Sequence, residues 1–176
     1  MSEFELRFDS ALILGYARRY SFGDEELAEV GPRVKRRGFL TKRDLSILGR
    51  WKSPRSAGLL ERNSEEFVEE ITAVALRAKS EQLRIGALTL LSGVNWGLGS
   101  VILHVCHSEP YPILDWRALW SLSSKPPAVY SFDFWWRYTL ACRELAARHR
   151  VSMRDLDRAL WQYSKEHQSA GGRSHS

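Results

Sequence analysis

The sequence predicts an all-α fold, in which one compact multi-helix domain covers about residues 1–167. Three observations support this prediction. Apolar residues recur at spacings of three and four in most segments, which is the pattern of a helix with one buried face. Residues that commonly cap helix N-termini precede several of these segments. No segment shows a convincing strand pattern, in which apolar and polar residues alternate over most of a strand's length.

The composition fits a single globular domain with its own core. The chain has 176 residues, of which 44% are hydrophobic and 27% charged, and this excludes a disordered or fibrous chain. Lys and Arg outnumber Asp and Glu by 26 to 21, so the formal net charge of +5 predicts a modest attraction for polyanions. Cys106 and Cys142 are too few for a disulfide framework or an iron–sulfur cluster, and we expect reduced thiols in the core.

The first two predicted helices lie near the N-terminus. One covers residues 4–20, where apolar residues recur at mostly helical spacing. The next covers residues 24–37 and is acidic at its start and basic at its end, as the helix dipole favours. Gly31 and Pro32 should break or kink this second helix, because proline lacks a backbone N–H and clashes with the preceding turn.

Capping patterns locate the helices in the middle of the chain. Thr41, with Asp44 three residues later, predicts a capping box that opens a helix through Leu48. Ser64 is predicted to cap a longer helix that has an apolar face, and Ser80 to begin the partner of that helix.

The C-terminal part predicts three more helices and a loop. A short helix opens at Asp115, and residues 123–129, which include Lys-Pro-Pro, form an exposed loop. Longer helices follow at residues 132–148 and 153–166. Residues 168–176 contain Gly-Gly and several serines, and they are predicted to form a disordered tail.

A central helix-hairpin-helix element is predicted at about residues 83–107. The first helix stops at Gly93, and the second runs from about Trp96 to His107. Gly93 and Asn95 can adopt positive φ in the turn between them. The N-terminus of the second helix offers backbone N–H groups that can bind a phosphate. Many bundles join antiparallel helices through such a turn, so the turn alone does not indicate a function.

The hairpin resembles that of the helix-hairpin-helix DNA glycosylase superfamily. The pattern there is approximately Leu-Pro-Gly-Val-Gly, two residues, Ala or Thr-Ala, and then apolar residues, and Leu91, Gly93 and Val94 match it. The superfamily places a catalytic aspartate shortly after the second hairpin helix, and Asp115 occupies that place without a gap in Tyr-Pro-Ile-Leu-Asp-Trp-Arg-Ala-Leu. The resemblance covers about residues 83–122. It implies a two-lobed, DNA-glycosylase-like all-α fold and, as a partner, double-stranded DNA with a flipped modified base.

Three hairpin positions depart from the superfamily pattern. Ser92 replaces the proline, Asn95 replaces the second glycine, and Gly97 stands where bifunctional members carry a catalytic lysine. A Schiff base formed by a lysine at that position is therefore excluded. The resemblance implies that Gly93, Asn95, Trp96 and Gly97 bind DNA. Trp96 is a candidate wedge beside the DNA, although packing in the core explains a tryptophan there equally well.

Asp115 has two predicted roles, and one residue can combine them. If the resemblance holds, its carboxylate acts in the monofunctional mode, in which it stabilises positive charge at the sugar C1′ as the N-glycosidic bond breaks and helps to position water. This role requires a flipped nucleotide beside the carboxylate. Alternatively, Asp115 only caps the helix that begins at Trp116.

A second cluster, formed by Trp51, Lys52 and Arg55, combines an aromatic side chain with two cations beside the turn-starting Pro54. Bases stack on aromatic faces, and Lys or Arg contacts phosphate, so the cluster is a candidate lining for a DNA groove or a base pocket. The alternative is a tryptophan that is anchored in the core and has a solvated basic edge.

No cofactor and no metal site are predicted. His104, Cys106 and His107 do not all face one point of a helix, and no Cys-x-x-Cys pair accompanies them. The N-terminus lacks the features of a secretion signal, and no apolar stretch reaches the length of a membrane span. We therefore expect a cytoplasmic protein without a membrane partner.

The leading functional expectation is a DNA-binding protein that resembles a monofunctional DNA glycosylase and hydrolyses the N-glycosidic bond of a damaged or modified base with Asp115. The alternative is a non-catalytic helix-hairpin-helix module that binds DNA or a protein partner. The first requires Asp115 to open into a cleft lined by Trp51, Lys52 or Arg55. A buried, capping Asp115 without a cleft favours the second.

Overall fold

Helices joined by short turns make up the described part of the chain. The computed structural model describes residues 3–168, and no residue in that range lies in a strand, which confirms the all-α prediction. The α-helices of this range are α1 (Ile13–Arg18), α2 (Glu25–Arg37), α3 (Lys42–Lys52), α4 (Ala57–Leu60), α5 (Glu65–Arg77), α6 (Glu81–Leu88), α7 (Trp96–Cys106), α8 (Trp116–Ser121), α9 (Phe132–His149) and α10 (Met153–His167). Within the same range, no helix is long and apolar enough to cross a membrane.

Side chains cap these helices at most of the predicted positions. Thr41 and Asp44 form the predicted capping box, in which each side chain accepts a hydrogen bond from the backbone N–H of the other residue. Ser64 and Ser80 accept hydrogen bonds from the first turns of α5 and α6, as expected, and Ser152 caps α10 in the same way.

The segment at residues 3–9 is not helical, so the predicted helix over residues 4–20 is wrong in its first half. The helix begins only with a 3₁₀ turn at Ser10–Leu12, which leads into α1. The backbone N–H groups of Glu5 and Arg7 donate to the carbonyls of Leu122 and Ser121 at 2.8 and 2.9 Å. Apolar residues at positions 4, 6 and 8 have the two-residue spacing of an extended chain, and this was the missed signal.

Helix α2 continues through Gly31 and Pro32, so the predicted break is wrong. Pro32 has no backbone N–H to donate to the carbonyl of Ala28, one turn earlier. Both residues are exposed, so water can donate to that carbonyl instead. Gly31 is buried, and a Cβ atom there would lie 2.8 Å from the carbonyl oxygen of Val105. The glycine therefore allows α2 to approach α7 closely.

Two helices organise the packing around the site. Helix α7 is buried from Leu98 to Leu103 and packs on α2, α3 and α6. Helix α10 packs on α1, α8 and α9. Cys106 and Cys142 are free and buried, which confirms the prediction of core thiols, and burial raises the pKa of Cys106 to about 12. The tail predicted at residues 168–176 lies outside the described residues except for Gln168, whose N–H donates to the Ser164 carbonyl at 2.8 Å.

Candidate active site and hairpin

The turn between α6 and α7 depends on Gly93. Its φ is +80°, a conformation that favours glycine, and a Cβ atom there would lie 2.9 Å from the Cβ of Leu59 and 3.1 Å from the backbone nitrogen of Leu60. Asn95 does not adopt the positive φ that the sequence allowed, since its φ is −101°. It instead caps α7, because its Oδ1 accepts a 2.9 Å hydrogen bond from the N–H of Leu98.

Asn63 holds the hairpin in place, and the sequence analysis missed it. Its Oδ1 accepts from the N–H of Ser92 at 2.9 Å, while its Nδ2 donates to the carbonyls of Ser92 and Leu60 at 2.9 and 3.0 Å. The side chain is buried, so these bonds satisfy polar atoms that would otherwise lack partners. No local pattern pointed to this role, because the partner backbone lies 29 residues away.

The hairpin residues differ in exposure. Asn95 is exposed, while Gly93 and Gly97 are half-buried. Trp96 is also half-buried and packs against the core, as the structural alternative for this residue expected. The backbone N–H groups of Trp96 and Gly97 belong to the first turn of α7, where a helix offers no acceptor for them.

Asp115 caps α8 and also forms an ion pair with Lys52. Its Oδ1 accepts a 2.9 Å hydrogen bond from the N–H of Arg117, which is the predicted capping role. The Nζ of Lys52 donates to its Oδ2 at 2.7 Å and to the carbonyl oxygen of Leu114 at 3.2 Å. The two charged side chains are only 17% and 19% exposed, so water screens their attraction weakly.

The electrostatic surroundings keep Asp115 ionised. Burial raises its pKa, but the Lys52 ammonium and the N–H of Arg117 outweigh burial and hold the pKa below its usual value. At neutral pH the site therefore presents a carboxylate rather than a carboxylic acid.

A cavity of about 150 Å³ lies beside Asp115. Its lining residues are Tyr20, Phe22, Trp51, Lys52, Ile113, Asp115, Ala118, Asp157 and Trp161. The cleft that the catalytic hypothesis requires is thus present, with Trp51 and Lys52 in its lining. Arg55 is exposed on the 3₁₀ turn Pro54–Ser56 and is not among the lining residues.

Neighbouring residues hold the aromatic walls of this cavity in place. Trp51 donates from its Nε1 to the carbonyl of Gly23 at 2.8 Å. The ring of Phe22 lies edge-on to that of Trp51, with centroids 5.5 Å apart, and 5.8 Å from the ring of Trp161. Tyr20 contacts Trp161 in the same way at 5.3 Å. These contacts restrict the rings before any ligand enters.

Asp157 is a second carboxylate in the cavity, and the sequence analysis missed it. Its Oδ1 accepts from the N–H of Ile113 at 3.2 Å, and its Oδ2 accepts from Arg154 at 2.8 Å. Burial raises its pKa, and His104, Arg154 and Lys52 offset this only in part. The signal was an aspartate among the apolar residues of α10, at the helical spacing of the buried Met153 and Leu160.

Lys52 also lies close to Gly97. In the superfamily that the hairpin resembles, bifunctional members have a lysine at this position. A Cβ atom at Gly97 would lie 3.4 Å from the Cε of Lys52 and 3.4 Å from the carbonyl of Leu114. An ammonium group therefore lies beside the hairpin although no lysine is present at position 97.

His104 and His107 make hydrogen bonds within the fold. The Nδ1 of His104 lies 2.6 Å from the carbonyl oxygen of Tyr111, and burial lowers the pKa of this histidine. His107 accepts from the N–H of Glu109 at 3.0 Å. Within residues 3–168, no group of three or more metal-ligating side chains is present.

Comparison with models of known protein families, with curated proteins and with solved structures gives no match. The similarity to the helix-hairpin-helix glycosylases therefore rests on the hairpin residues and on the position of Asp115. The geometry of the cavity is the remaining guide to function.

Proposed function

We propose that the protein is a DNA N-glycosylase of the helix-hairpin-helix type, which hydrolyses the bond between a flipped base and its sugar. The observation that carries the proposal is the position of Asp115. An ionised carboxylate borders a cavity with aromatic walls, and it follows the hairpin at the distance that the resemblance implies. A base that leaves the duplex needs such a cavity, because its faces must be stacked again outside the helix.

The hairpin supplies the DNA contact in this proposal. The N–H groups of Trp96 and Gly97 bind a phosphate, and Asn95 completes the turn that presents them. Arg55 is exposed and adds a second phosphate contact. Because these contacts are electrostatic, binding weakens as the salt concentration rises.

Asp115 acts through its charge in the chemical step. When the bond between C1′ and the base breaks, both electrons leave with the base, and positive charge develops on the sugar. The carboxylate stabilises that charge. Its lowered pKa makes it a weak base, so charge stabilisation is its main contribution. Water then adds its oxygen to C1′, and the released proton passes to solvent while the base acquires one.

Lys52 has two roles in this step. It keeps Asp115 ionised although the carboxylate is largely buried. An ammonium group has three N–H bonds, and Asp115 and Leu114 accept two of them within the described residues. The third can be donated to the departing base, where negative charge accumulates.

A second candidate activity is imine formation at an abasic site, and the proximity of Lys52 to Gly97 favours it. The deprotonated amine adds to the C1′ aldehyde of the opened sugar, and loss of water gives an imine between Nζ and C1′. Loss of a C2′ proton then expels the 3′ phosphate. The Lys52 ammonium must first pass a proton to Asp115 or to water. Because base hydrolysis needs no such step, imine formation is the second candidate activity.

The experiment for the first candidate measures base release from duplexes that each carry one modified base. Released bases are detected by mass spectrometry, and binding is measured separately on a duplex with a stable abasic-site analogue. We expect Asp115→Asn to abolish release and to leave binding nearly intact. Asp9→Asn is the matched control, because Asp9 also caps a helical turn but is exposed and is not a cavity residue.

Binding without release of any base would favour the non-catalytic module instead. An unchanged release rate in Asp115→Asn would contradict the proposed mechanism. The imine is tested separately, by borohydride trapping on a duplex with a natural abasic site. Lys52→Arg should abolish the covalent adduct, whereas Lys125→Arg, in an exposed loop, should not.

A further inference from the structure

The chemistry of the cavity lining selects among the bases that could occupy it. This inference rests on the proposed function, since it concerns the ligand of the same cavity. The size of the cavity and its polar groups each restrict the choice of base, whereas the aromatic walls favour any flat base.

The size of the cavity favours a single ring. Its volume is about 150 Å³. A cavity of roughly this volume inside a protein binds one six-membered aromatic ring such as benzene. A purine adds a second fused ring, which this volume does not hold. That ring would either extend out of the open side of the cavity, where it stacks on no wall, or displace a wall such as Trp51, which is fixed by its hydrogen bond to Gly23.

The walls favour a flat, aromatic ligand. Trp51 and Trp161 present large ring surfaces, and Phe22, which contacts both, is 43% exposed. Stacking on such surfaces is worth about 1–3 kcal/mol for each base. Stacking does not depend on which base is bound, so the selection among single-ring bases must come from the polar groups.

The polar groups favour a base that donates hydrogen bonds. Asp157 is more than nine-tenths buried and borders the cavity. Each carboxylate oxygen accepts two hydrogen bonds. Ile113 and Arg154 use one site on each oxygen of Asp157, which leaves two sites for a ligand. Arg154 pairs with the ionised form of Asp157 at 2.8 Å. An amino group suits the free sites of that carboxylate, whereas a carbonyl oxygen would be repelled by it.

Lys52 provides the complementary donor. Its third N–H bond suits a ring nitrogen or a ring carbonyl oxygen that accepts a hydrogen bond. Cytosine presents an amino donor, whereas thymine presents a carbonyl at the same ring position. A cavity that contains one cation and two carboxylates therefore matches cytosine and opposes thymine.

We infer that the cavity binds a single-ring base with an exocyclic amino group, that is, a base of the cytosine type, and that Asp157 is the residue that accepts its amino hydrogens. Asp157 is then a specificity-determining residue, whereas Asp115 serves bond cleavage. Because the two carboxylates have separate tasks, they can be tested separately.

The test uses free nucleosides, so that it requires neither DNA binding nor catalysis. Deoxycytidine, thymidine and deoxyadenosine are titrated into the protein, and the indole N–H signals of Trp51 and Trp161 are followed by NMR. We expect deoxycytidine to bind at least about tenfold more tightly than thymidine, since a hydrogen bond to a charged group typically contributes that much or more. Deoxyadenosine should bind more weakly than deoxycytidine.

In Asp157→Asn, deoxycytidine should bind only about threefold more tightly than thymidine, or less. The reason is that the neutral amide no longer repels the carbonyl group of thymidine. Asp155→Asn, on the same helix but half-buried in its first turn and not a cavity residue, is the matched control and should keep the full ratio. Trp161→Leu covers the case in which the Asp157 variant fails to fold. It should weaken binding of every nucleoside and leave the ratio unchanged.

Equal or tighter binding of thymidine or deoxyadenosine would overturn the inference, and so would an absence of shifts at both indoles. These outcomes are distinguishable from failure of the proposed function. If the protein releases only thymine-type or purine bases, the glycosylase proposal holds and the cytosine assignment fails. If deoxycytidine binds selectively but no base is ever released, the cytosine assignment holds and the glycosylase proposal fails.

Discussion

The Nζ of Lys52 lies 2.7 Å from the Oδ2 of Asp115, although the two residues are 63 positions apart in the chain. This ion pair joins the end of α3 to the start of α8 at the edge of the cavity. It fixes the charge of the carboxylate and the position of the amine together.

Removing one partner of the pair should cost more free energy of unfolding than removing a partner of an exposed pair. We expect Lys52→Met to lower the free energy of unfolding by about 2–3 kcal/mol, because it leaves Asp115 charged and largely buried. Glu144→Gln is the control. Its ion pair with Arg148 is more than half exposed, and its loss should cost about 0.5 kcal/mol or less. Urea denaturation at pH 7 measures both, and equal losses would show that the buried pair has no special stability.

The contribution of Asp115 to stability should depend on pH. Its pKa is lowered in the folded state, so its ionisation stabilises the fold above the unfolded value of 3.8, and this stabilisation is lost as the pH falls through the lowered pKa. The difference in free energy of unfolding between wild type and Asp115→Asn should therefore shrink as the pH falls from 7 to 3. A difference that is constant over this range would contradict the lowered pKa.

Asp157 should show the opposite pH dependence. Its pKa is raised, so in the folded state it holds its proton above pH 3.8, and ionising it costs stability as the pH rises through the raised value. Wild type should lose stability relative to Asp157→Asn between pH 4 and pH 7. Chemical denaturation of both proteins at each pH measures the effect. If their free energies of unfolding change in parallel with pH, the raised pKa of Asp157 is contradicted.

The hairpin glycine should be intolerant of a side chain. Gly93→Ala combines an unfavourable positive φ with contacts of 2.9 and 3.1 Å, and we expect a loss of about 2–3 kcal/mol in free energy of unfolding. Gly86→Ala, inside α6 and with no neighbouring atom within 4 Å of the added Cβ, should instead stabilise the protein by about 0.5–1 kcal/mol. Thermal unfolding of the two variants would show opposite shifts, and shifts of the same sign would be inconsistent with the conformation at Gly93.

Asn63 should control the rigidity of the hairpin. Asn63→Ala removes three hydrogen bonds, two of them to the backbone of Ser92. We expect faster amide hydrogen exchange at Ser92 and about 2 kcal/mol lower free energy of unfolding. Hydrogen exchange resolved by residue measures the first effect. Exchange at Ser92 that is as slow as in wild type would mean that the helices alone hold the turn.

Much of the local structure could be predicted because it depends on neighbouring residues. Thr41 and Asp44 are three positions apart, and their capping box follows from that spacing. The cap at Asp115 likewise needs only the residue type and the helix that follows. Gly31 and Pro32 misled the prediction because the cost of a proline depends on whether solvent reaches the neighbouring carbonyl, and that is settled by packing.

The polar composition of the cavity could be predicted only in part. Asp115 and Lys52 each stood out locally, but nothing in the sequence paired them, since their contact depends on how α3 and α8 meet. Asp157 was hidden because a single aspartate in an amphipathic helix is usually solvated. Contacts between distant segments arise from the tertiary packing, and single-sequence patterns do not contain them.

The non-helical N-terminal segment has a consequence for how the protein is made. Residues 5 and 7 bond to carbonyls at positions 122 and 121, and α1 packs against α10, the last helix of the described range. These hydrogen bonds therefore cannot form until the segment through position 122 has left the ribosome, and the packing of α1 has to wait for α10. Folding that depends on such distant contacts is slow relative to folding through local ones. The cavity, whose lining includes both Tyr20 and Trp161, is thus completed late, after the hairpin has all the residues it needs.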